Sequence, residues 1–265
     1  MAKVNIKKVF QDQIGESVEI NFPPKRIISI VPSQTELLFD LGLEKEVVGI
    51  TKFCIHPNEW FRNKTRIGGT KNLNIERILD LKPDLILANK EENDKAQVEK
   101  LKEAFPVWVS DVKTIEAALE MVSAVGIMFG KEKEASAIRS EIQLAFDDFQ
   151  TQQKVKCAYL IWKDPMMVVG GDTFINSMLE KAGFENVFKN QNRYPTTSIE
   201  KVLDLKIETL LLSSEPFPFK DKHIKEYEKN FPNTIVKVVD GEIFSWYGSR
   251  MKKAISYFEK LSSEF

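Results

Sequence analysis

Short apolar runs alternate with amphipathic stretches in the first part of the chain. The runs predict buried strands at about 26–31, 47–50, 85–88 and 107–109. Between them, apolar positions recur at three- and four-residue spacing and predict helices, including one at about 96–103. We expect a helix to begin at Ser33, because Ser33 and Glu36 have the spacing of a capping box. This alternation is typical of a mostly parallel sheet with helices on its faces.

The pattern becomes purely helical after Lys113. One helix is predicted by an apolar face that consists of Ile115, Leu119, Val122 and Ile127. Gly130 interrupts the pattern, and a second run from Lys131 to about Gln153 contains neither proline nor glycine. A helix of this size spans roughly 30 Å, which is enough to join two lobes. The sequence therefore predicts a stiff linking helix over 129–153.

The last part of the chain returns to strand–helix alternation, with strands expected at 157–161, 168–169, 210–212 and 235–239. Helices are predicted at about 174–181 and 249–261. The predicted fold class is α/β: two Rossmann-like lobes with mostly parallel sheets, joined by a single long helix, with a ligand cleft between the lobes. We expect the N-terminal lobe at 1–128 and the C-terminal lobe at 154–265.

Two segments of the chain repeat each other at a constant offset of 124 residues. Residues 75–88 and 199–212 are identical at seven of fourteen positions, and each predicts a short helix followed by a buried strand. Asn74 and Ser198 are the expected N-caps, and Pro83 ends the first helix. Chance similarity between amphipathic segments is the alternative. We favour one supersecondary unit used once in each lobe, and call the two segments the repeat.

Composition and charge exclude several classes of protein. The chain is 43% hydrophobic and 29% charged with a net charge of −1, which is typical of a soluble globular protein and not of a nucleic-acid binder. Two distant cysteines indicate no disulfide framework. The sequence shows neither a signal peptide nor a membrane-spanning run. We therefore expect either a cytosolic protein or one whose export segment is absent from this sequence.

The motifs of common enzymes are missing from the sequence. It has no phosphate-binding glycine loop and no G-x-S-x-G motif. His56 and His223 are the only histidines available as bases. The sequence predicts a binding protein with no catalytic residues, not an enzyme.

Candidate ligand-binding residues follow the predicted strands, because ligands of open α/β sheets bind beyond the carboxyl ends of strands. Five are aromatic and could form a wall for a flat macrocycle or chelate, with core packing as the alternative: Phe53, Trp162, Tyr194, Trp246 and Tyr247. Four are cationic and could meet carboxylates or phosphates of a ligand, or could simply be solvated: Lys71, Lys90, Lys163 and Arg250. The other candidates are Ser33, Gln34 and Met166.

Cys54 and His56 are the only Cys/His pair that lies close together in sequence. They could contribute to a soft-metal site, or one of them could coordinate a cobalt or iron centre. No third or fourth cysteine or histidine lies nearby to complete a structural zinc site. A half-buried cysteine beside a surface histidine is the alternative.

Several motifs resemble the substrate-binding proteins of ABC importers, of the class whose lobes are bridged by one rigid helix. The N-terminal motifs are Pro24–Ser29, Pro32–Leu37 and the first half of the repeat, Asn74–Ile86. The C-terminal motifs are Gly170-Gly171, Gly183–Asn186 and Ser198–Leu203. Vitamin B12-binding and iron-chelate-binding members are the most similar in pattern. The resemblance covers the chain from about Lys25 onward.

This resemblance implies a ligand, a partner and roles for particular residues. In the family, a glutamate at the start of a helix in each lobe meets arginines of the permease, and the matching positions are Glu76 and Glu200. A favourable interaction of an acid with the helix dipole is the alternative explanation of those glutamates. The B12-binding members carry an aromatic residue that matches Phe53. They also carry a tryptophan in the loop before Asn74, where this chain has Thr70.

The predicted function is the substrate-binding component of an ABC importer. Its ligand is expected to be a cobalamin-like corrinoid, an iron–siderophore or haem, held as cargo and not as a catalytic cofactor. Its partners are expected to be an ABC permease and the associated ATPase, with no nucleic acid, and the protein is expected to be a monomer. The resemblance implies a periplasmic or extracytoplasmic location. The alternative is a cytosolic metal-chelate scavenger or sensor derived from this family.

Overall fold

The structure is a computed structural model, and it describes residues 6–152 and 154–265. Its internal contacts group the chain into two compact units. Of the described residues, the N-terminal unit contains those up to Val112, then Glu116–Gln143 and Tyr247–Arg250. The C-terminal unit contains Lys113–Ile115, Leu144–Trp246 and Met251–Phe265. No local sequence pattern indicates that Tyr247–Arg250 belongs with the N-terminal unit.

The N-terminal unit begins with an antiparallel hairpin, which the sequence analysis missed, and continues as strand–helix alternation. Its elements are β1 (Ile6–Gln11), β2 (Ser17–Phe22), β3 (Ile27–Ser29), α1 (Pro32–Asp40), β4 (Val47–Ile50), α2 (Asn58–Asn63), β5 (Thr65–Arg66), β6 (Gly68–Gly69), β7 (Asn72–Leu73), α3 (Ile75–Leu81), β8 (Leu85–Asn89), α4 (Lys95–Lys102), β9 (Val107–Ser110), α5 (Ile115–Phe129) and α6 (Glu132–Asp148).

The main sheet of this unit has the strand order β5-β4-β3-β8-β9, and every neighbouring pair in it is parallel. Both faces are covered, since every residue of β3, β8 and β9 is buried. The predicted α/β class with parallel strands is confirmed here. The parallel strands place their carboxyl ends at one edge of the sheet, which we call the N-unit edge.

Helix α1 begins differently from the prediction. Its first residue is Pro32 and its N-cap is Val31, with no side-chain cap. The predicted capping box of Ser33 and Glu36 is therefore wrong. Proline fits the first turn because it has no N–H to leave unpaired and its φ is already helical, so the N-cap lies two residues earlier than the predicted Ser33.

Helix α6 is the structural counterpart of the predicted linking helix. It has 17 residues, so it is about 25 Å long, and it ends five residues before the predicted terminus at Gln153, which lies outside the described residues. Residues of α6 up to Gln143 belong to the N-terminal unit, and residues from Leu144 onward belong to the C-terminal unit. A Cβ on Gly126 of α5 would lie 2.3 Å from the Ala135 side chain of α6, so glycine permits this close helix pair.

The C-terminal unit has a second sheet of similar construction. Its elements are β10 (Val155–Trp162), β11 (Met167–Val168), α7 (Phe174–Lys181), β12 (Phe184–Asn186), α8 (Ile199–Asp204), β13 (Thr209–Ser213), α9 (Asp221–Glu228), β14 (Ile235–Val239), α10 (Gly241–Ser245) and α11 (Ala254–Ser262). A 3₁₀ turn at Ser249–Lys253 precedes α11, where the sequence predicted one continuous helix.

The sheet order is β11-β10-β13-β14, with β12 also paired to β10. Only the β10–β11 pair of this sheet is antiparallel among the described residues. Its core contains Leu160 and Leu212 of the strands, Val202 of α8 and Phe231 beyond α9. The carboxyl ends of β10, β13 and β14 form what we call the C-unit edge.

No helix of the described residues is long and apolar enough to cross a bilayer.

The repeat adopts the same local structure in both units. Asn74 and Ser198 each cap a helix by accepting from the backbone N–H three residues later, as predicted. A lysine with positive φ follows each helix within two residues: Lys82 (44°) after α3 and Lys206 (51°) after α8, which are 124 residues apart. Each helix is then followed by a parallel strand, β8 or β13. These matching details favour one structural unit used twice over chance similarity between the two segments.

Candidate functional site

A buried polar network connects three elements at the N-unit edge. The Gln34 amide donates to the Ser110 hydroxyl at 2.6 Å, and the Asn89 amide donates to the same hydroxyl at 3.0 Å. Gln34 lies in α1, Asn89 ends β8 and Ser110 ends β9. All three side chains are buried. Gln34, a predicted ligand residue, therefore helps to fix the ends of neighbouring elements in this structure.

Tyr247 lies against this network. Burial raises the pKa of its phenol well above the usual value, although the neighbouring polar side chains of Ser110, Ser33 and Gln34 act in the opposite direction. The phenol therefore remains neutral and available as a hydrogen-bonding group at physiological pH. The structure thus brings together three predicted ligand residues, Ser33, Gln34 and Tyr247, within the N-terminal unit.

Arg250 lies three residues after Tyr247 and forms a buried ion pair with Glu36 of α1. Its Nε donates to Glu36 Oε2 at 2.8 Å, and its Nη2 donates to Glu36 Oε1 at 2.9 Å. Two parallel bonds of this kind fix the guanidinium plane. Glu36, predicted as half of a capping box, instead anchors Tyr247–Arg250 to the N-terminal unit.

Two of the other predicted cations also have carboxylate partners. The Lys90 ammonium lies 2.6 Å from Asp111, and the Lys163 ammonium lies 2.7 Å from Glu226. Both pairs are partly exposed, so they are weakly held and an anion could displace the carboxylate. Lys71 is exposed, and its backbone carbonyl accepts from the Gln97 side chain.

The loop after β4 presents one exposed aromatic ring and one buried thiol. Phe53 is 50% exposed, and the Lys52 ammonium lies 5.1 Å from the centre of its ring. Cys54 is buried, with its sulfur 3.1 Å from the Thr35 hydroxyl and 3.2 Å from the Thr51 hydroxyl. Burial raises the pKa of this thiol to about 11.

These contacts favour the structural interpretation of Cys54. The thiol is protonated at neutral pH, whereas the thiolate is the form that binds metals. His56 is half-buried in the same loop. Within 6–152 and 154–265, no three His, Cys, Asp or Glu residues are grouped closely enough to hold a metal ion. Direct metal binding by Cys54 and His56 remains a prediction.

The C-unit edge carries the remaining predicted residues. Trp162 ends β10, is 38% exposed and contacts Phe217 edge-on with ring centres 5.6 Å apart. Met166 packs partly buried against the core of the unit, and Tyr194 is half-buried. Trp246 is buried, and its indole N–H donates to Glu215 at 2.9 Å.

Glu215 is a further candidate residue at this edge, and it was not predicted from the sequence. Its carboxylate accepts from the Ser245 hydroxyl at 2.7 Å as well as from Trp246. Burial raises its pKa, although these two hydrogen bonds oppose the shift. Glu215 follows β13 by two residues, as the other candidates follow their strands, so the same rule applied to β13 would have found it.

Glu76 and Glu200 occupy equivalent positions. Each is the second residue of its helix, α3 or α8, and each is exposed. The Ser198 hydroxyl lowers the pKa of Glu200, so this carboxylate is ionised at neutral pH. The ion pairs formed within the described chain include neither glutamate. The repeat therefore presents two uncompensated acids, one on each unit.

Relatives known by sequence are named as binding proteins. The vitamin B12-binding protein of Vibrio campbellii is 27% identical over 199 residues, which are 73% of this chain and 72% of that protein. An uncharacterised ABC transporter substrate-binding lipoprotein of Bacillus subtilis, YvrC, is 29% identical over 206 residues, which are 73% of this chain and 65% of that protein.

Solved structures share the fold over nearly their whole length. A possible iron-binding periplasmic solute-binding protein of Staphylococcus epidermidis is 24% identical and superimposes with a TM-score of 0.76 over 91% of this chain and 98% of its own. The periplasmic haem-binding protein HutB of Vibrio cholerae is 18% identical, with a TM-score of 0.76 over 89% and 98% of the two chains. At these identities the likeness establishes the two-lobe α/β fold alone.

The sequence profile of one family matches most of the chain. This family is described as periplasmic binding protein, and the match extends over residues 27–232, from β3 into the segment between α9 and β14. It includes both halves of the repeat and the strands of both sheets up to β13. The resemblance inferred from the motifs is thereby confirmed, and this chain belongs to the periplasmic binding protein family.

Proposed function

We propose that this protein captures a metal-containing macrocycle or chelate outside the cytoplasm and delivers it to the permease of an ABC importer. The family match over residues 27–232 is the observation that carries the proposal. The names of the relatives narrow the ligand class to corrinoids, haem and iron complexes. The relatives are periplasmic proteins or lipoproteins, which supports an extracytoplasmic location.

A cobalamin-like corrinoid is the first ligand to test, because a B12-binding protein aligns with 73% of the chain. Phe53 and Trp162 are the two predicted aromatic residues that are exposed, so each has a face available to a flat ligand. Tyr247 offers a buried hydroxyl at the N-unit edge, and Glu215 offers a partly buried carboxylate at the C-unit edge. A ligand-binding role for the remaining predicted residues is part of the same proposal.

Absorbance titration and calorimetry test the ligand class directly. Cyanocobalamin, cobinamide, haemin and a ferric hydroxamate chelate would each be added to the purified protein, and we expect one of them to bind with a Kd below about 1 μM. Bovine serum albumin at equal concentration controls for non-specific adsorption of haemin. Failure of all four ligands to bind at about 10 μM would remove this ligand class.

Delivery to a permease is the second part of the proposal. Glu76 and Glu200 would each meet a cationic group of the permease, consistent with their exposure and their lack of an ion-pair partner in the described chain. The ATPase of the importer would drive uptake, and the binding protein would act as a monomer without catalysing a reaction. Uptake of labelled ligand by host cells should fall at least tenfold in a Glu76→Gln/Glu200→Gln variant.

A further inference from the structure

Besides the two glutamates, the repeat presents a pair of exposed leucines. Leu79 and Leu203 are also 124 residues apart, and they are exposed to nearly the same extent, at 47% and 45%. Each follows its glutamate by three residues in the same helix, so leucine and carboxylate lie on one helical face. The residue between them, Ile78 or Val202, is fully buried and holds each helix against its unit.

The neighbouring basic residues are turned toward their own units. The Arg77 guanidinium donates to the Arg66 carbonyl at 2.9 Å, and the Lys201 ammonium lies over the Phe188 ring at 5.9 Å. The matching acids Asp80 and Asp204 follow the leucines in both helices. Each face is therefore an exposed leucine bordered by negative charge.

Core packing does not account for the exposed leucines. An isolated exposed leucine is ordinary on a protein surface, but the same leucine at equivalent positions in two units is a duplicated feature. The buried residues of the repeat pack against the sheets, as Val202 does in the core of the C-terminal unit. Leu79 and Leu203 have no such role, since about half of each side chain is in solvent.

We infer that Leu79 and Leu203 are apolar anchors of the docking surface, and that each enters an apolar recess of the permease beside the cation that pairs with Glu76 or Glu200. The partner is thus a protein surface that offers a cation next to a recess for one leucine, and offers this pair twice. This inference rests on the proposed function and adds the apolar half of the contact. Charge would guide the approach, and burial of the leucines would slow dissociation.

A binding experiment with the importer tests the anchors. A permease–ATPase complex would be captured from detergent-solubilised host membranes on immobilised wild-type protein, identified by mass spectrometry and transferred to lipid nanodiscs. Leu79→Ala and Leu203→Ala should each weaken its binding about tenfold, and the double variant more than either. Leu144→Ala is the matched control, because Leu144 is 63% exposed in α6, outside the repeat, and it should bind within about twofold of wild type.

Salt dependence separates the two halves of the contact. The leucine variants should bind more weakly at every ionic strength with an unchanged salt dependence, whereas Glu76→Gln/Glu200→Gln should flatten that dependence. Binding of the double leucine variant within about twofold of wild type, while the glutamine variant is impaired, overturns the inference and leaves the proposed function standing. Capture of no permease at all contradicts the proposed function and the inference together. Unchanged ligand titrations confirm that the leucine variants are folded.

Discussion

The guanidinium of Arg250 and the carboxylate of Glu36 form a bidentate ion pair between residues 214 positions apart in the chain. Their side chains are only 7% and 13% exposed. The pair fixes the short segment Tyr247–Arg250 on α1, and the same segment places Tyr247 against Ser33 and Gln34. The N-unit edge is therefore completed by residues from near the end of the chain.

Breaking this pair should destabilise the protein strongly. Glu36→Gln would leave the Arg250 charge buried with an imperfect partner, which we expect to cost about 3 kcal/mol of unfolding free energy. Urea denaturation measures the loss. Lys7→Met is the matched control, because the Lys7–Glu19 pair is more than half exposed and its loss should cost less than about 1 kcal/mol. Equal effects of the two substitutions would show that the buried pair contributes no special stability.

The parts of the fold that local pattern determines could be predicted from the sequence. The strand Val47–Ile50 and the helix Phe174–Lys181 have the predicted bounds, because each is bounded by turn or capping residues close in sequence. The repeat also revealed its two caps and its shared helix–strand order. The capping box at Ser33 failed because Pro32 begins the helix, a local preference that outweighed the motif.

The parts that depend on distant residues could not be predicted. Nothing near Glu36 in sequence indicates that its partner is Arg250. The burial of Cys54 between Thr35 and Thr51 also depends on the packing of α1 against the loop after β4. Candidate site residues were chosen because they follow strands, and this rule finds the edge of a sheet without showing which side chains are buried there.

The buried thiol of Cys54 should make the protein less stable in alkali. Its pKa is about 11 in the folded chain and about 9 when unfolded, so between these values the folded state keeps a proton that the unfolded state releases. Well below pH 9 both states are protonated and the thiol contributes no pH dependence. As the pH rises from 9 to 10, Cys54 alone should remove about 1 kcal/mol of stability.

Cys54→Ser tests this prediction, because a serine hydroxyl can keep hydrogen bonds to Thr35 and Thr51 but does not titrate in this range. The variant should lose less stability than wild type when urea denaturation is repeated at pH 9 and pH 10. Cys157, whose pKa is also raised by burial, remains in both proteins and cancels in the comparison. Identical losses for the two proteins would contradict the assigned shift.

The two caps of the repeat should contribute equally to stability. Asn74 accepts from the Arg77 backbone at 2.9 Å and Ser198 accepts from the Lys201 backbone at 3.3 Å. Asn74→Ala and Ser198→Ala should each cost about 1 kcal/mol, since each leaves a helix N–H without its acceptor. Thermal and urea unfolding measure this cost. Ser256→Ala, an exposed serine in α11, should change stability by less than about 0.5 kcal/mol. A cost confined to one of the two caps would show that the repeated helices are not equivalent.

Trp162 should account for most collisional quenching of tryptophan fluorescence. It is 38% exposed, whereas Trp60, Trp108 and Trp246 are at most 6% exposed. We expect acrylamide to quench wild-type protein appreciably and a Trp162→Phe variant only weakly. Trp60→Phe is the control, and it should retain the quenchable fraction because it removes a buried indole. Strong quenching of the Trp162→Phe variant would mean that another indole is open to solvent.

The exposed aromatics Phe53 and Trp162 should be important for ligand affinity. A flat macrocycle gains contact area on such rings at small entropic cost, so Phe53→Ala and Trp162→Ala should each weaken binding of the ligand identified by titration about tenfold or more. Phe39→Ala is the matched control, because Phe39 is 36% exposed but packs edge-on against Trp60 at the far end of α1 from Ser33 and Gln34. The control should bind within about twofold of wild type. If both aromatic variants retain wild-type affinity in the same calorimetric titration, the ligand is held by other groups, and the polar residues Tyr247 and Glu215 become the first alternatives.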